Sequence, residues 1–145
     1  MNFKKNGSLK NFMKKIYWKI LLLIKNCPFN SCLYLRRFLC KNLFKKFGKN
    51  CFLTDLITIS NPGNISLGDR VSIHQYSLLD ATAEIRIGNK VAIGSHSSFI
   101  TSSHNFDNQD VPIKDQGINS KEIEISDNVW IGSGVTVLQG VKIGK

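Results

Sequence analysis

The first 50 residues contain no aspartate and no glutamate, although they hold eleven lysines and two arginines. The rest of the chain carries seven basic and ten acidic side chains. An N-terminal region of net charge +13 is thus joined to a C-terminal region of net charge −3. Such an uneven field attracts anionic surfaces. No nucleic-acid recognition motif accompanies the basic residues, so we expect no nucleic-acid partner.

Long apolar runs are also absent. The longest uninterrupted run is residues 20–24, whereas a bilayer-spanning helix needs about 20 apolar residues. Lys19 interrupts the apolar stretch around this run, and no small-residue cleavage site follows it, which argues against a secretory signal. These absences predict a cytoplasmic protein that is at most peripheral on the inner face of the membrane.

The cysteines lack the spacing of a zinc site. Cys27, Cys32, Cys40 and Cys51 are separated by four, seven and ten residues, so the chain has no CxxC pair, and no histidine lies nearby. Because we expect a reducing compartment, we predict that all four are free thiols. No metal is predicted.

Two basic amphipathic helices are predicted in residues 1–50. Apolar and basic side chains alternate irregularly in residues 9–25 and again in residues 31–47, and Pro28 separates the two stretches. Two interpretations remain open. The helices either pack on the rest of the protein and expose their lysines, or they attach to an anionic membrane through residues 9–47.

Aliphatic side chains recur every six residues in the C-terminal region. Three runs share this spacing: Leu67, Ile73 and Leu79; Ile87, Ile93 and Phe99; and Ile125, Ile131, Val137 and Ile143. A period of six fits neither an alternating strand nor an α-helix. It predicts an all-β fold, a left-handed parallel β-helix, in which three hexapeptides form one triangular coil and these anchor residues stack between coils. We assign residues 51–145 to this domain.

Two steps break the period. Leu79 and Ile87 are eight residues apart, which widens the turn at residues 80–84. Phe99 and Ile125 are 26 residues apart, so we predict an extruded loop at about residues 104–122. A long loop that leaves a regular solenoid is usually functional.

The loop and the hexads after it resemble a known family. The stretches SSHNFDNQDVPIKDQ (102–116) and EISDNVWIGSGVTVLQGVKIG (124–144) are similar to bacterial hexapeptide-repeat acetyltransferases of the galactoside, maltose and capsule-sugar O-acetyltransferase type. The resemblance covers about residues 48–145. It implies acetyl-CoA as co-substrate, a sugar or polysaccharide hydroxyl as acceptor, and a homotrimer with active sites between subunits. Surface polysaccharide biosynthesis is the expected setting.

The resemblance also implies roles for individual residues. His104 matches the catalytic base, and the backbone N–H of Ser133 matches the donor to the thioester oxygen. Coenzyme A is expected beside Trp130, Gly132, Ser133 and Gly134, and the acceptor beside Asp80, His74 and Tyr76. An imidazole suits proton removal near neutral pH, and a rigid backbone N–H suits an oxyanion. We expect direct attack in a ternary complex, without an acetyl-enzyme.

Other functions stay open. One is a non-catalytic, membrane-associated β-helix scaffold. Another is a zinc-dependent carbonic anhydrase, because enzymes of that class have similar folds; however, that family pairs histidines five residues apart, and Gln109 stands five residues after His104. A third is an inactive truncated fragment, since the chain ends at Lys145, just after the anchor Ile143, where the resembling enzymes continue for another coil. A truncated chain would bind coenzyme A weakly.

Overall fold

The computed structural model describes residues 5–145, with side chains from Leu9 onward. Residues 1–4, which belong to the predicted basic region, lie outside the described residues. Two helices come first, α1 (Lys5–Ile24) and α2 (Asn30–Leu43). The strands that follow are β1 (Lys46–Phe47), β2 (Phe52–Leu53), β3 (Thr58–Ser60), β4 (Ile65–Leu67), β5 (Ser72–Ile73), β6 (Leu78–Asp80), β7 (Ile85–Ile87), β8 (Ala92–Ile93), β9 (Ser98–Ile100), β10 (Ser102–His104), β11 (Ile118–Ser120), β12 (Ile123–Ile125), β13 (Trp130–Ile131), β14 (Thr136–Leu138) and β15 (Lys142–Ile143).

Three parallel sheets form the faces of the β-helix. Sheet A contains β1, β4, β7, β12 and β15; sheet B contains β2, β5, β8 and β13; sheet C contains β3, β6, β9 and β14. Each complete coil contributes one strand to each sheet and pairs with the coil before it. The predicted fold, a left-handed parallel β-helix preceded by a helical region, is confirmed.

The predicted anchors stack in register inside the β-helix. Leu67, Ile87, Ile125 and Ile143 pair in sheet A; Ile73, Ile93 and Ile131 in sheet B; and Leu79, Phe99 and Val137 in sheet C. Apart from the half-buried Ile143, these anchors are buried. Burying one such side chain contributes about 1.5–3 kcal/mol, so the repeated contact supplies the driving force for coil stacking.

The β-helix begins earlier than the sequence predicted. Phe47, Leu53 and Ile59 pair with Leu67, Ile73 and Leu79, and so form a first coil below the predicted ones. Helix α2 ends at Leu43, because Phe44 adopts an extended conformation, with φ −71° and ψ 156°. The last residues of the region 1–50, which we had assigned to helices, are therefore part of sheet A.

The corner after sheet C is wider than the other two. The steps from Ile59 to Leu67 and from Leu79 to Ile87 both span eight residues. The additional residues bring Ile65, Ile85 and Ile123 into the core, where they pair with one another in sheet A. The wide turn predicted at residues 80–84 is thus a repeated property of this corner, and the extruded segment leaves the coil here.

The two helices pack against each other and against the first coil. Tyr17 and Phe38 meet edge to face with ring centroids 5.9 Å apart, and Leu21, Leu39 and Leu43 join the core. The side chain of Arg36 is 3% exposed. It donates hydrogen bonds to the carbonyl oxygens of Leu53 (3.2 Å), Ile24 (3.2 Å) and Cys27 (2.9 Å). Arg36 thus ties the helix pair to sheet B.

The prediction of four free thiols is wrong for two cysteines. Cys27 and Cys32 form a disulfide across the turn between the helices, whereas Cys40 and Cys51 are free and buried. The tight turn at Pro28 brings the Cα atoms of Cys27 and Cys32 to 6.1 Å, within the range that a disulfide spans. Among the helices that the structure describes, none is both long and apolar enough to cross a bilayer.

Candidate functional site

The segment extruded at the wide corner is a β-hairpin that carries His104. Strands β10 and β11 pair antiparallel, and His104 faces Ile118 at the outer end of this ladder, with its side chain exposed. Beyond the ladder, the Gln116 side chain donates to the carbonyl oxygens of Asn108 (2.7 Å) and Val111 (2.8 Å). The extruded loop predicted at about residues 104–122 is this hairpin, and its internal bonds hold its shape.

Buried Thr101 anchors the root of the hairpin. Its hydroxyl donates to the Asp80 carbonyl (2.9 Å) and accepts from the Ala83 N–H (2.9 Å). The Gln139 amide donates to the Ser103 hydroxyl (2.6 Å), and so ties the residue before His104 to the following coil. These bonds place His104 at the end of sheet C where β6 finishes with Asp80.

Three residues from each of three coils form the opposite corner, which we call the B–C corner. Its members are residues 74–76, 94–96 and 132–134, and they follow the paired anchors Ile73, Ile93 and Ile131. Backbone bonds join the layers: His96 N–H donates to the Gln75 carbonyl (3.1 Å), and Gly134 N–H to the Ser95 carbonyl (2.9 Å). The backbone is therefore rigid, although the side chains of His74 and Ser133 are exposed.

Ser133 lies directly against Gly94 of the coil below. A Cβ atom on Gly94 would stand 2.6 Å from the Ser133 nitrogen and 2.8 Å from its Oγ. Buried Ser97 donates a 3.0 Å hydrogen bond to the Gly132 carbonyl, which orients the peptide before Ser133. A fixed backbone N–H at an exposed corner can stabilise an oxyanion, because its dipole does not have to reorganise during the reaction.

Trp130 stands on the outer face of sheet B, two residues before the B–C corner. Its side chain is 82% exposed, and its neighbour in register is Ala92. Such a large exposed aromatic surface beside a polar corner is typical of a binding site rather than of a core position.

Two rings stack at this corner, a contact that was not predicted from the sequence. Tyr76 and His96 lie nearly parallel, with ring centroids 4.7 Å apart and an interplanar angle of 14°. Both have positive φ, 62° and 60°. The signal was available, because each follows its anchor, Ile73 or Ile93, by three residues, and equivalent positions of successive coils stack.

The predicted site residues fall into two groups within one chain. His74, Tyr76, Gly132, Ser133 and Gly134 meet at the B–C corner, with Trp130 beside it. Asp80 and His104 lie at the other end of sheet C, and strand β14 separates Ser133 from Gln139 near the hairpin root. The three residues of β14 alone span roughly 10 Å. A single copy therefore does not bring His104 to Ser133 or Asp80 to His74.

A metal centre finds no support in the part of the chain that the structure describes. No group of three His, Cys, Asp or Glu side chains there is arranged to hold an ion. His74 and His96 lie at the B–C corner, whereas His104 is on the hairpin. The three histidines that raised the carbonic anhydrase alternative are therefore not collected in one place within a copy.

Comparison with known proteins identifies the relatives of this chain. No family model matches it. A galactoside O-acetyltransferase from Lactococcus lactis is 33% identical over 110 residues, which are 74% of this chain and 51% of that protein. A hexapeptide-repeat acetyltransferase from Vibrio cholerae, solved with acetyl coenzyme A, is 28% identical with a TM-score of 0.76 over 91% of this chain and 70% of that one. The homologues of the present chain are thus hexapeptide-repeat acetyltransferases.

The resemblance that the motifs predicted is thus confirmed. A maltose O-acetyltransferase from Clostridium difficile extends the set of hexapeptide-repeat acetyltransferase neighbours. It is 25% identical, with a TM-score of 0.76 over 94% of this chain and 72% of that one. The chain spans about half, or less, of the length of the curated acetyltransferases that it matches.

Proposed function

We propose that this chain catalyses transfer of an acetyl group from acetyl-CoA to a hydroxyl of a sugar. The observation that carries the proposal is the position of His104, exposed on a hydrogen-bonded hairpin at the corner where the described coils of the β-helix are interrupted. The likeness to the Vibrio cholerae acetyltransferase, which was solved with acetyl coenzyme A, supports the choice of donor. The proposed acetyl transfer uses no metal and requires no cofactor besides acetyl-CoA.

In the proposed reaction, the acceptor oxygen attacks the thioester carbonyl carbon while a neutral His104 imidazole takes the hydroxyl proton. The Ser133 N–H donates to the oxyanion that forms. When the tetrahedral intermediate collapses, the C–S bond breaks, and the departing thiolate receives the proton that His104 holds. The products are the O-acetyl sugar and coenzyme A. No side chain is acetylated, so the rate depends on positioning both substrates in one ternary complex.

We further propose that the working unit is a homotrimer with each site between two copies. The support is the separation of His104 and Asp80 from the B–C corner, which leaves each chain with two halves of a site. Coenzyme A would bind along Trp130, Gly132, Ser133 and Gly134. The acceptor would contact Asp80 of one copy, and His74 and Tyr76 of its neighbour.

The acceptor class that we favour is a capsule, lipopolysaccharide or exopolysaccharide sugar, with acetyl transfer on the cytoplasmic side. The basic N-terminal region suits an acceptor held near an anionic membrane better than it suits a free galactoside or maltose.

An acetyl-CoA-dependent acceptor screen tests the proposal. We expect release of coenzyme A that depends on a sugar acceptor. The variant His104→Ala should lower kcat by about 10²–10⁴-fold, because the general base is lost. Gln109→Ala, an exposed change in the same hairpin, is the matched control and should retain the activity.

Three results would count against the proposal. Equal activity of the wild type and His104→Ala would remove His104 from the mechanism. A folded wild type that binds no acetyl-CoA in a calorimetric titration would favour the scaffold alternative. Stoichiometric zinc would instead favour the carbonic anhydrase alternative.

A further inference from the structure

The exposed stripe of helix α1 mixes large apolar side chains with lysines. Leu9, Phe12, Leu22 and Leu23 are all exposed, and Leu23 is 83% exposed. Lys15 and Lys19, which are also exposed, fall between them at helical spacing. A helix that only packs on the β-helix would turn its apolar face inward and leave a polar face outward. This stripe does not follow that rule.

The turn and helix α2 also expose large apolar side chains. Phe29 is 71% exposed and Tyr34 is 70% exposed, and Leu35 and Phe38 are exposed as well. The Tyr17–Phe38 contact holds the two helices side by side. We call the exposed apolar and basic side chains of residues 9–41 the helical surface.

Positive charge surrounds this surface. Tyr34, Phe38 and Phe47 line a groove of about 350 Å³ together with Arg37, Lys41 and Lys49. The nearby Lys45 already forms an ion pair, because its Nζ lies 2.7 Å from a carboxylate oxygen of Glu84. Residues 1–50 contribute no acidic side chain of their own that could neutralise the others.

We propose that the helical surface docks on an anionic lipid bilayer, with both helices lying in the plane of the interface. Leu22, Leu23 and Phe29 would enter the boundary between headgroups and acyl chains, while the lysines would reach the headgroup phosphates. The groove beside α2 would receive an anionic headgroup. No described helix can span the bilayer, so the attachment is peripheral and reversible.

Charge complementarity favours the bilayer over other occupants. A second copy would present the same cationic surface, and the two would repel each other. A nucleic acid would satisfy the lysines, but it offers nothing to bury Leu22 and Leu23. An anionic bilayer supplies both a negative surface potential and an apolar boundary.

Vesicle co-sedimentation with the full chain tests the proposal. We expect binding to phosphatidylcholine vesicles that contain phosphatidylglycerol, and little binding to phosphatidylcholine alone. Lys15→Gln with Lys19→Gln should weaken this binding on the order of tenfold. Lys90→Gln with Lys114→Gln removes the same charge from the β-helix region, and should leave the binding nearly unchanged.

A second pair of changes distinguishes insertion from simple electrostatic adsorption. Leu23→Gln with Phe29→Ser keeps every charge, and should reduce vesicle binding even at low salt. Circular dichroism melting of each variant verifies that it remains folded. Equal binding to neutral and anionic vesicles would overturn the proposal, as would unchanged binding of Leu23→Gln with Phe29→Ser. Because the readout is binding, its failure would leave the proposed acetyl transfer untouched.

Discussion

Gly94 illustrates how a single residue without a side chain shapes the candidate site. Its position after the anchor Ile93 indicated a turn, but the sequence could not reveal that Ser133, 39 positions later, fills the space beside it. That contact depends on which coils are neighbours, and so on the length of the extruded hairpin. Residue types at the corner were predictable, whereas their cross-coil contacts were not.

The variant Gly94→Ala tests this contact. The added Cβ would approach the Ser133 nitrogen to 2.6 Å, so the backbone of one of the two coils must shift. We expect the free energy of unfolding to fall by about 1–3 kcal/mol, which is typical of overpacking. Gly63→Ala is the control, because a Cβ there meets no atom within 4 Å. Similar denaturant midpoints for the two variants would contradict the assigned contact.

Among the secondary-structure elements, sheet A carries a ladder of charged side chains across its outer face. Arg86 donates to Glu122 at 2.8 Å and lies 3.7 Å from Glu84. Lys45 donates to Glu84 at 2.7 Å, and Ser66 donates to it at 3.0 Å. The hydrogen bond from Lys45, followed by that from Ser66 and the charges of Lys45 and Arg86, lowers the pKa of Glu84 below its ordinary value.

A pH dependence of stability follows from this lowered pKa. The contribution of Glu84 should be fully present above its unfolded pKa of about 4.3, and should be lost as the pH falls through the folded value. At neutral pH, Glu84→Gln should destabilise the chain by about 0.5–1 kcal/mol, since Lys45 is largely exposed and screened. Asp110→Asn, in the exposed hairpin, is the control. A deficit of Glu84→Gln that persists unchanged at pH 3 in thermal melts would refute this origin.

We expect that the β-helix can lose the hairpin without unfolding. Its ladder bonds are internal, and its root aligns with the shorter turn of the preceding coil, where Thr101 corresponds to Ala81. Replacing residues 102–121 by Thr-Ala, the pair that follows Ala81, should retain the far-ultraviolet spectrum and the cooperative melt. The shortened chain should not transfer acetyl groups, because it lacks His104. Loss of cooperative folding would show that the hairpin is instead a structural part of the core.

Element prediction succeeded where one periodicity dominated. Within each of the three runs between Leu67 and Ile143 the anchors keep the six-residue spacing, and they pair between coils as expected. The first-coil anchors Phe47, Leu53 and Ile59 keep the same spacing but were not identified as anchors, and Phe47 lay outside the assigned domain of residues 51–145. Phe47 was assigned to a helix because lysines surround it and a helical pattern precedes it. The hairpin was predicted only as a loop, because its antiparallel pairing depends on side-chain bonds such as those of Gln116 rather than on an apolar period.

At the level of the whole molecule, the proposed site residues lie at two ends of one sheet. His104 and Asp80 are at the hairpin end of sheet C, and Ser133 is at the B–C corner. Flat outer faces with exposed residues such as Trp130 and Leu138 leave room for other copies. The candidate site residues were named from the resemblance of the sequence to known enzymes, and their roles stay a prediction. Their proposed distribution over two copies rests on the three-dimensional path of the coils.

Mixing two inactive variants tests this composite site most directly. His104→Ala removes the base, and Gly132→Trp blocks the B–C corner with a side chain whose Cβ meets no atom within 4 Å. Each should be inactive alone. Co-refolded assemblies, with subunit exchange verified by two different tags, should regain part of the acetyl-CoA-dependent transfer, because some interfaces would combine an intact hairpin with an intact corner. Exchanged assemblies that remain as inactive as the separate variants would contradict a site shared between copies.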